Sequence, residues 1–352
     1  MQFSDQFFLP KNKVYLDSAA SSLTAKVVVD KMDAYYRDFR ANIHRGAHAL
    51  TRRASEEYES VYGKLARFFN ATDQDFISVR NATEGLNAVA MGLDWKIGDE
   101  VVVTDMEHHS NLLPYLRLKE KGVRVKVLFA EPDGRMDPEK LSGLLSRKTR
   151  LFSFSACSNV LGAHQPVIEL SKTARDAGAL VCLDAAQYVG HHPVDLKKWP
   201  VDFLAFSGHK SFGPTGSGVL YHRHGVVLSP CFVGGGTVRN VTLDDYALLE
   251  HRERFEAGTP AIADWIGLGA AVDVLSKIGY PAIESHEKKL VSSMFSRLTE
   301  MDDVTVYGPR NPENKSCCLF SFSVKNVPHH QVALMLDQLG YALRSGHHCA
   351  IP

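Results

Sequence analysis

The sequence predicts an α/β fold: a mainly parallel sheet with helices on both faces, followed by a smaller α+β domain. Two observations carry this. From about residue 75, short apolar runs alternate with stretches of helical spacing. The runs are apolar at consecutive positions, as expected of strands buried on both faces. Past about residue 274 the order changes to helix, strand, strand, helix, which marks a second layered unit. The expected boundaries are 16–273 for the large domain, and 1–15 with 274–352 for the small one.

The elements follow in order. "DFISVR" reads as a strand and "TEGLNAVAMGL" as the helix after it. "DEVVVTD" is a strand, "SNLLPYLRLKEKG" has helical spacing and "VRVKVLFA" is a strand again. "DPEKLSGLLS" is a helix with Asp137 as N-cap and Pro138 in the first turn, where a missing N–H costs nothing. "RLFSFSAC", "LVCLDAA" and "VDFLAFSG" are strands, and "PVIELSKTARDAGA" is the helix after the first of them. "GVLYHR" is a further strand, with an antiparallel direction allowed by its Gly-rich turn. "FEAGTPAIADWIGLGAAVDVLSKIG" contains a long helix. The small domain takes "HEKKLVSSMFSRLTEM" and "HHQVALMLDQLG" as helices, with "VTVYG" and "CCLFSFSV" as strands opened, in the second case, by Cys317 and Cys318. "GPRNPENKS" reads as a surface loop, and "GGGT" at 234–237 as a turn.

Composition excludes several classes. Lys+Arg and Asp+Glu both number 40, so the formal net charge is zero. That balance gives no reason to expect a nucleic-acid or anionic-membrane partner. No apolar run is long enough to cross a bilayer, and "MQFSDQFFLPKNK" does not resemble a secretory leader. The six cysteines are scattered without a C-x-x-C pair, as expected of reduced thiols in a cytoplasmic protein. "EHH", "HRGAH" and "GHHC" lack the spacings of common zinc sites, so no metal is expected.

In a parallel sheet, ligands gather at the carboxyl ends of the strands. Five such ends carry chemistry here. Thr83 opens a helix and offers hydroxyl and N–H groups to an anion such as phosphate. His108 and His109 follow the second strand and Asn159 the fourth. Asp184 ends a buried strand, where a carboxylate is expensive without a cation. Ser207, His209 and Lys210 follow another, and desolvation there lowers a lysine pKa and favours a nucleophilic amine. An anion cradle, a buried acid and an activated lysine are the set that pyridoxal 5′-phosphate requires.

At these motifs the sequence resembles the cysteine desulfurases of the sulfur-mobilisation type, fold type I pyridoxal-phosphate enzymes of the aminotransferase class V group. The motifs are "VYLDSAAS", "ANIHRGAHALTRRASEEYE", "TEGLNAV", "DMEHHSNLLPY", "SNVLG", "LDAAQ", "DFLAFSGHKSFGPTGSGVLY", "RFEAGTP" and "RSGHHCAIP". The resemblance implies that 16–273 binds the cofactor. It makes Lys210 the cofactor-linked base, and pairs Asp184 with the ring nitrogen and Gln187 with the ring hydroxyl. His108 stacks on the ring and moves protons. Thr83, Ser207 and His209 hold the phosphate, and Thr259 reaches the phosphate of a neighbouring subunit in a homodimer. Asn159 lies near the ring hydroxyl and the substrate. Cys349 accepts sulfur from L-cysteine as a persulfide, and His347 and His348 are candidates to activate its thiol.

The implied partners are L-cysteine, with L-selenocysteine as the alternative, and a sulfur-acceptor or scaffold protein such as one serving iron–sulfur assembly. A class V lyase that does not need Cys349, and a non-catalytic homologue that binds a partner, remain alternatives. Relatives differ at Ala82 and Ser18, as tolerated variation. They also continue past the cysteine into a tail with a carboxylate-binding arginine. The chain is therefore expected to be truncated at Pro352, to bind the cofactor, and to turn over cysteine poorly. Arg344, His44 and Arg45 remain as substrate-binding donors.

Overall fold

The computed structural model describes residues 3–9, 11–315 and 317–350. Ser316 of the expected loop, Ile351 and Pro352 of the last motif, and Met1, Gln2 and Pro10 lie outside the described residues.

The strands are β1 (Val14–Tyr15), β2 (Phe76–Val79), β3 (Glu100–Thr104), β4 (Arg124–Leu128), β5 (Thr149–Ser155), β6 (Leu180–Asp184) and β7 (Phe203–Ser207). They continue with β8 (Gly218–His222), β9 (Val238–Val241), β10 (Tyr246–Leu248), β11 (Val304–Tyr307), β12 (Ser321–Val324) and β13 (Tyr341–Ala342). The helices are α1 (Lys26–Asp38), α2 (Ala49–Phe69), α3 (Ala82–Gly92), α4 (His109–Arg117) and α5 (Pro138–Leu144). After them come α6 (Val167–Asp176), α7 (Ile262–Ile278), α8 (Tyr280–Thr299) and α9 (His329–Gln338).

Seven strands form the central sheet, in the order β2-β8-β7-β6-β5-β3-β4. Strands β3 to β7 run parallel, and β8 is antiparallel to both β7 and β2. The expected α/β class and the reversed "GVLYHR" strand are both present. Because β2 lies beyond β8, it points the same way as the parallel set. The carboxyl ends of β2, β3, β5, β6 and β7 therefore share one edge.

Alternation along each strand builds two cores. Phe152, Phe154, Val181, Leu183, Leu204 and Phe206 face α2, α6 and α7, where Tyr58, Tyr62, Leu170 and Trp265 are buried. Leu151, Cys182, Phe203 and Ala205 face α3 and α4, meeting Leu86, Val89 and Tyr115. Burial of each such large side chain contributes about 1.5–3 kcal/mol, so the sheet edge that carries the chemistry rests on a rigid support. Asp137 caps α5 as expected, accepting the N–H of Glu139 at 2.8 Å.

Two features depart from the sequence reading. Cys317 and Cys318 do not open a strand; β12 begins at Ser321. Both cysteines have left-handed backbones, φ 61° and 45°, and such residues cannot extend a ladder. The sequence reading also missed β1, which pairs parallel with β13. This short pairing brings Asp17–Ala20 and the segment after Ala342 to the same edge of the central sheet.

Candidate active site

A cavity of about 910 Å³ lies at that edge. Its wall takes Thr83 from beyond β2, His108 from beyond β3, Asn159 from beyond β5, Asp184 from β6, and Ser207, His209 and Lys210 from β7 and its end. The five strand ends singled out in the sequence do converge.

One side is an anion cradle. Asn81 caps α3 by accepting the N–H of Glu84 at 3.0 Å. Ser207 Oγ accepts the N–H of Ala82 at 2.8 Å, and Thr83 Oγ1 shares a 2.7 Å hydrogen bond with Ser110 Oγ. The first turn of α3 thus presents N–H groups and hydroxyls where the helix dipole favours a negative group. Gly218 makes this close packing possible. A Cβ there would stand 2.6 Å from Asn81 Cα and 2.8 Å from the Phe206 carbonyl oxygen. His209 borders the cradle, with Nδ1 3.3 Å from Ser21 Oγ.

The opposite side carries the charges. Asp184 is buried, and its Oδ1 accepts the N–H of Ala186 at 2.9 Å. Burial raises its pKa, against the pull of that N–H and of the Lys210 charge. Burial also lowers the pKa of Lys210; the charge of Asp184 opposes this and that of Arg344 adds to it. His108 Nδ1 accepts the N–H of Ser110 at 3.1 Å, so a neutral ring carries its proton on Nε2. Burial first, and then the Lys210 charge, push its pKa down to about 4. It is neutral at physiological pH.

The Cys349 loop is tied to this wall. The Cys349 carbonyl accepts the N–H of His109 at 2.8 Å, and Asn159 Nδ2–H donates to the His348 carbonyl at 2.8 Å. Asn159 thus gives one amide N–H to the loop while it also lines the cavity. Gln187 likewise gives one Nε2–H to the Ala19 carbonyl at 2.6 Å and lines the cavity. Cys349 itself is exposed, and its charge reaches Lys210. Burial and the Arg344 charge lower the pKa of His348, so its imidazole offers the thiol no positive charge at neutral pH. Arg344 lines the cavity and makes no ion pair among the described residues. A cation so placed suits a carboxylate.

Other expected residues stand apart. Thr259 is exposed and does not line the cavity. His44 has its Nε2 3.6 Å from Glu59, and Arg45 is exposed; neither lines the cavity.

Glu107 escaped the sequence reading. It is fully buried beneath His108, and its carboxylate accepts from Thr104 Oγ1 at 2.6 Å, Asn111 Nδ2 at 2.5 Å, Ser155 N at 3.0 Å and Ser155 Oγ at 2.7 Å. The signal for it was an acid directly after a strand with no room for solvent, in "TDMEHH".

These residues fit pyridoxal phosphate. The cradle suits its phosphate, the buried acid its ring nitrogen and the desolvated amine its aldehyde. Comparison with known proteins agrees. The aminotransferase class-V family model matches residues 14–352. A probable cysteine desulfurase of Methanothermobacter thermautotrophicus is 42% identical over 348 residues, 98% of this chain and 86% of that protein. The apo structure of a cysteine desulfurase from Thermococcus onnurineus NA1 superposes with a TM-score of 0.95 at 41% identity, covering 98% of this chain and 87% of the other. The Escherichia coli cysteine desulfurase CsdA, in an S-sulfonic acid form, gives 0.92 at 33% identity, covering 99% and 88%. By sequence and by fold, this chain belongs to the aminotransferase class-V family, within its cysteine desulfurase group.

Proposed function

We propose that this protein is a pyridoxal-phosphate-dependent cysteine desulfurase that converts L-cysteine to L-alanine and keeps the sulfur as a persulfide on Cys349. One observation carries the reading. The loop bearing Cys349 is hydrogen-bonded to His109 and Asn159, on the rim of the cavity that holds Lys210 and Asp184. A class V lyase without a persulfide step has no use for a thiol held there.

Pyridoxal phosphate, when bound, supplies an electron sink for deprotonation at the amino-acid Cα. Thr83, Ser207, His209 and the start of α3 would hold its phosphate, and Asp184 its ring nitrogen. Lys210, whose amine desolvation favours in the neutral, proton-accepting form, takes the Cα proton. Arg344 binds the substrate carboxylate, and neutral His108 offers its Nε2–H as a donor. The Cys349 thiolate attacks the cysteine sulfur. The sulfur–sulfur bond forms as the Cβ–S bond breaks, and the three-carbon product leaves as alanine after protonation. Cysteine and one enzyme thiol thus give alanine and one enzyme persulfide.

Several finer points belong to the same proposal. Residues 16–273 form the cofactor domain, and 1–15 with 274–352 the small domain. Thr259, exposed and away from its own cavity, completes the site of a second subunit in a homodimer. The persulfide passes to an acceptor protein in the cytoplasm, for iron–sulfur clusters or another sulfur-containing cofactor. Alanine formation by Cys349→Ala tests the core reading. Turnover of L-cysteine should fall to background while the cofactor stays bound, and unchanged turnover would favour the lyase.

A further inference from the structure

The cavity wall carries a second pair of sulfurs that the reaction above does not use. Cys157 follows β5, and Cys317 sits in the left-handed turn before β12. Both line the cavity. Their sulfurs are 3.5 Å apart, as thiols. The backbone sets up this approach. Cys157 bridges to His164, and Ala163 bridges to Lys315, so the backbone at 157, 163–164 and 315 lies side by side. A disulfide needs about 2.05 Å between sulfurs, so about 1.5 Å of closure remains. The Cys317 thiol also donates to the Gln187 carbonyl at 2.8 Å. Lys315, held by the carbonyls of Leu161 and Tyr307, is close enough to feel a charge on Cys157. An anionic sulfur formed during exchange therefore has a cation beside it. Cys182 offers none of this, being sealed in the core on the other face of β6.

We propose that Cys157 and Cys317 form a reversible disulfide in the wall of the active-site cavity, by exchange with a low-molecular-weight disulfide. The Cys317 thiolate, reached from the cavity, attacks one sulfur of the small disulfide and expels a thiolate. The Cys157 thiolate then attacks the Cys317 sulfur and expels the second thiolate. The two protons lost by the cysteines end on the two small thiols, which are the reduced products, and the cysteine pair is oxidised by two electrons. The bond ties Cys317 to Cys157, which lies two residues beyond β5 and two before Asn159. It therefore stiffens the support of the Cys349 loop when the surroundings become oxidising.

The test treats the holoenzyme with oxidised glutathione, digests it without reductant and maps cross-linked peptides by tandem mass spectrometry. The expected product is one cross-link between Cys157 and Cys317, lighter by two hydrogens and reversed by dithiothreitol. It should persist in Cys318→Ser and vanish in Cys157→Ser. Mapping of the unmutated protein decides alone if a variant fails to fold. A glutathione adduct on Cys317 that never resolves, a bridge through Cys318, or no cross-link at saturating oxidant would overturn the proposal.

Discussion

Glu107→Gln is the substitution whose effect follows most directly from the geometry. The Glu107 carboxyl is fully buried, and burial raises its pKa from 4.5 to about 7 against four hydrogen bonds that favour the charge. The charge of Asp184 adds to the rise. A native pKa above the unfolded one means the native state binds the proton more tightly. The resulting stability is complete below the unfolded pKa and is lost as pH rises through about 7. The shift corresponds to about 3 kcal/mol. Glutamine removes this dependence, because it cannot ionise. It also presents an amide N–H to donors at Asn111 and Ser155, at a pH-independent cost of about 1–3 kcal/mol. Urea unfolding of both proteins at about pH 5 and about pH 9 separates the two effects. Groups common to both, such as Glu256, cancel in the comparison. Wild type should lose about 3 kcal/mol more than the variant between the two pH values. Parallel losses would refute the claim that Glu107 is protonated in the native state at low pH and strained when charged.

Two other substitutions probe the cradle and the loop. Gly218→Ala drives a methyl against Asn81 and should displace the start of α3; pyridoxal-phosphate titration should show about a tenfold weaker Kd, or about 1.4 kcal/mol, and an unchanged Kd would contradict the cradle. Asn159→Ala removes the hydrogen bond to His348, an interaction worth about 1 kcal/mol; rapid-quench measurement of the first alanine formed should show a several-fold slower step with the cofactor fully loaded, and an unaltered step would remove Asn159 from the positioning of the loop.

Much of the site was legible because fold and chemistry share one rule. Strands β3, β5, β6 and β7 are apolar runs that end abruptly in His108, Asn159, Asp184 and Lys210, and parallel strands place such ends together. What escaped reading depended on partners distant in sequence. The two-residue strand β1 has no pattern of its own and exists through its pairing with β13. Cys317 and Cys318 looked like the start of β12, but a hydrogen bond to Gln187 and left-handed backbones hold them in a turn. Asn159 read as a ligand-binding residue because its place beyond β5 suits one; that one of its amide N–H groups also holds the His348 carbonyl depends on how the last loop docks. Glu107 was hidden by its histidine neighbours, although a buried acid is the more unusual residue in "EHH". His44 and Arg45 read as substrate-binding donors, but both lie outside the cavity, a matter of how their segment packs.

The central claim is that Cys349 takes the sulfur of cysteine at a cavity built around Lys210. Mass spectrometry of the holoenzyme after one equivalent of L-cysteine, with thiols trapped by an alkylating agent and peptides sequenced, tests this most directly. The expected result is one additional sulfur atom on Cys349, formed in step with one alanine per chain and absent from Lys210→Ala. Sulfur on Cys157, Cys317 or Cys318 with Cys349 unmodified, or alanine released without any enzyme-bound sulfur, would contradict the account.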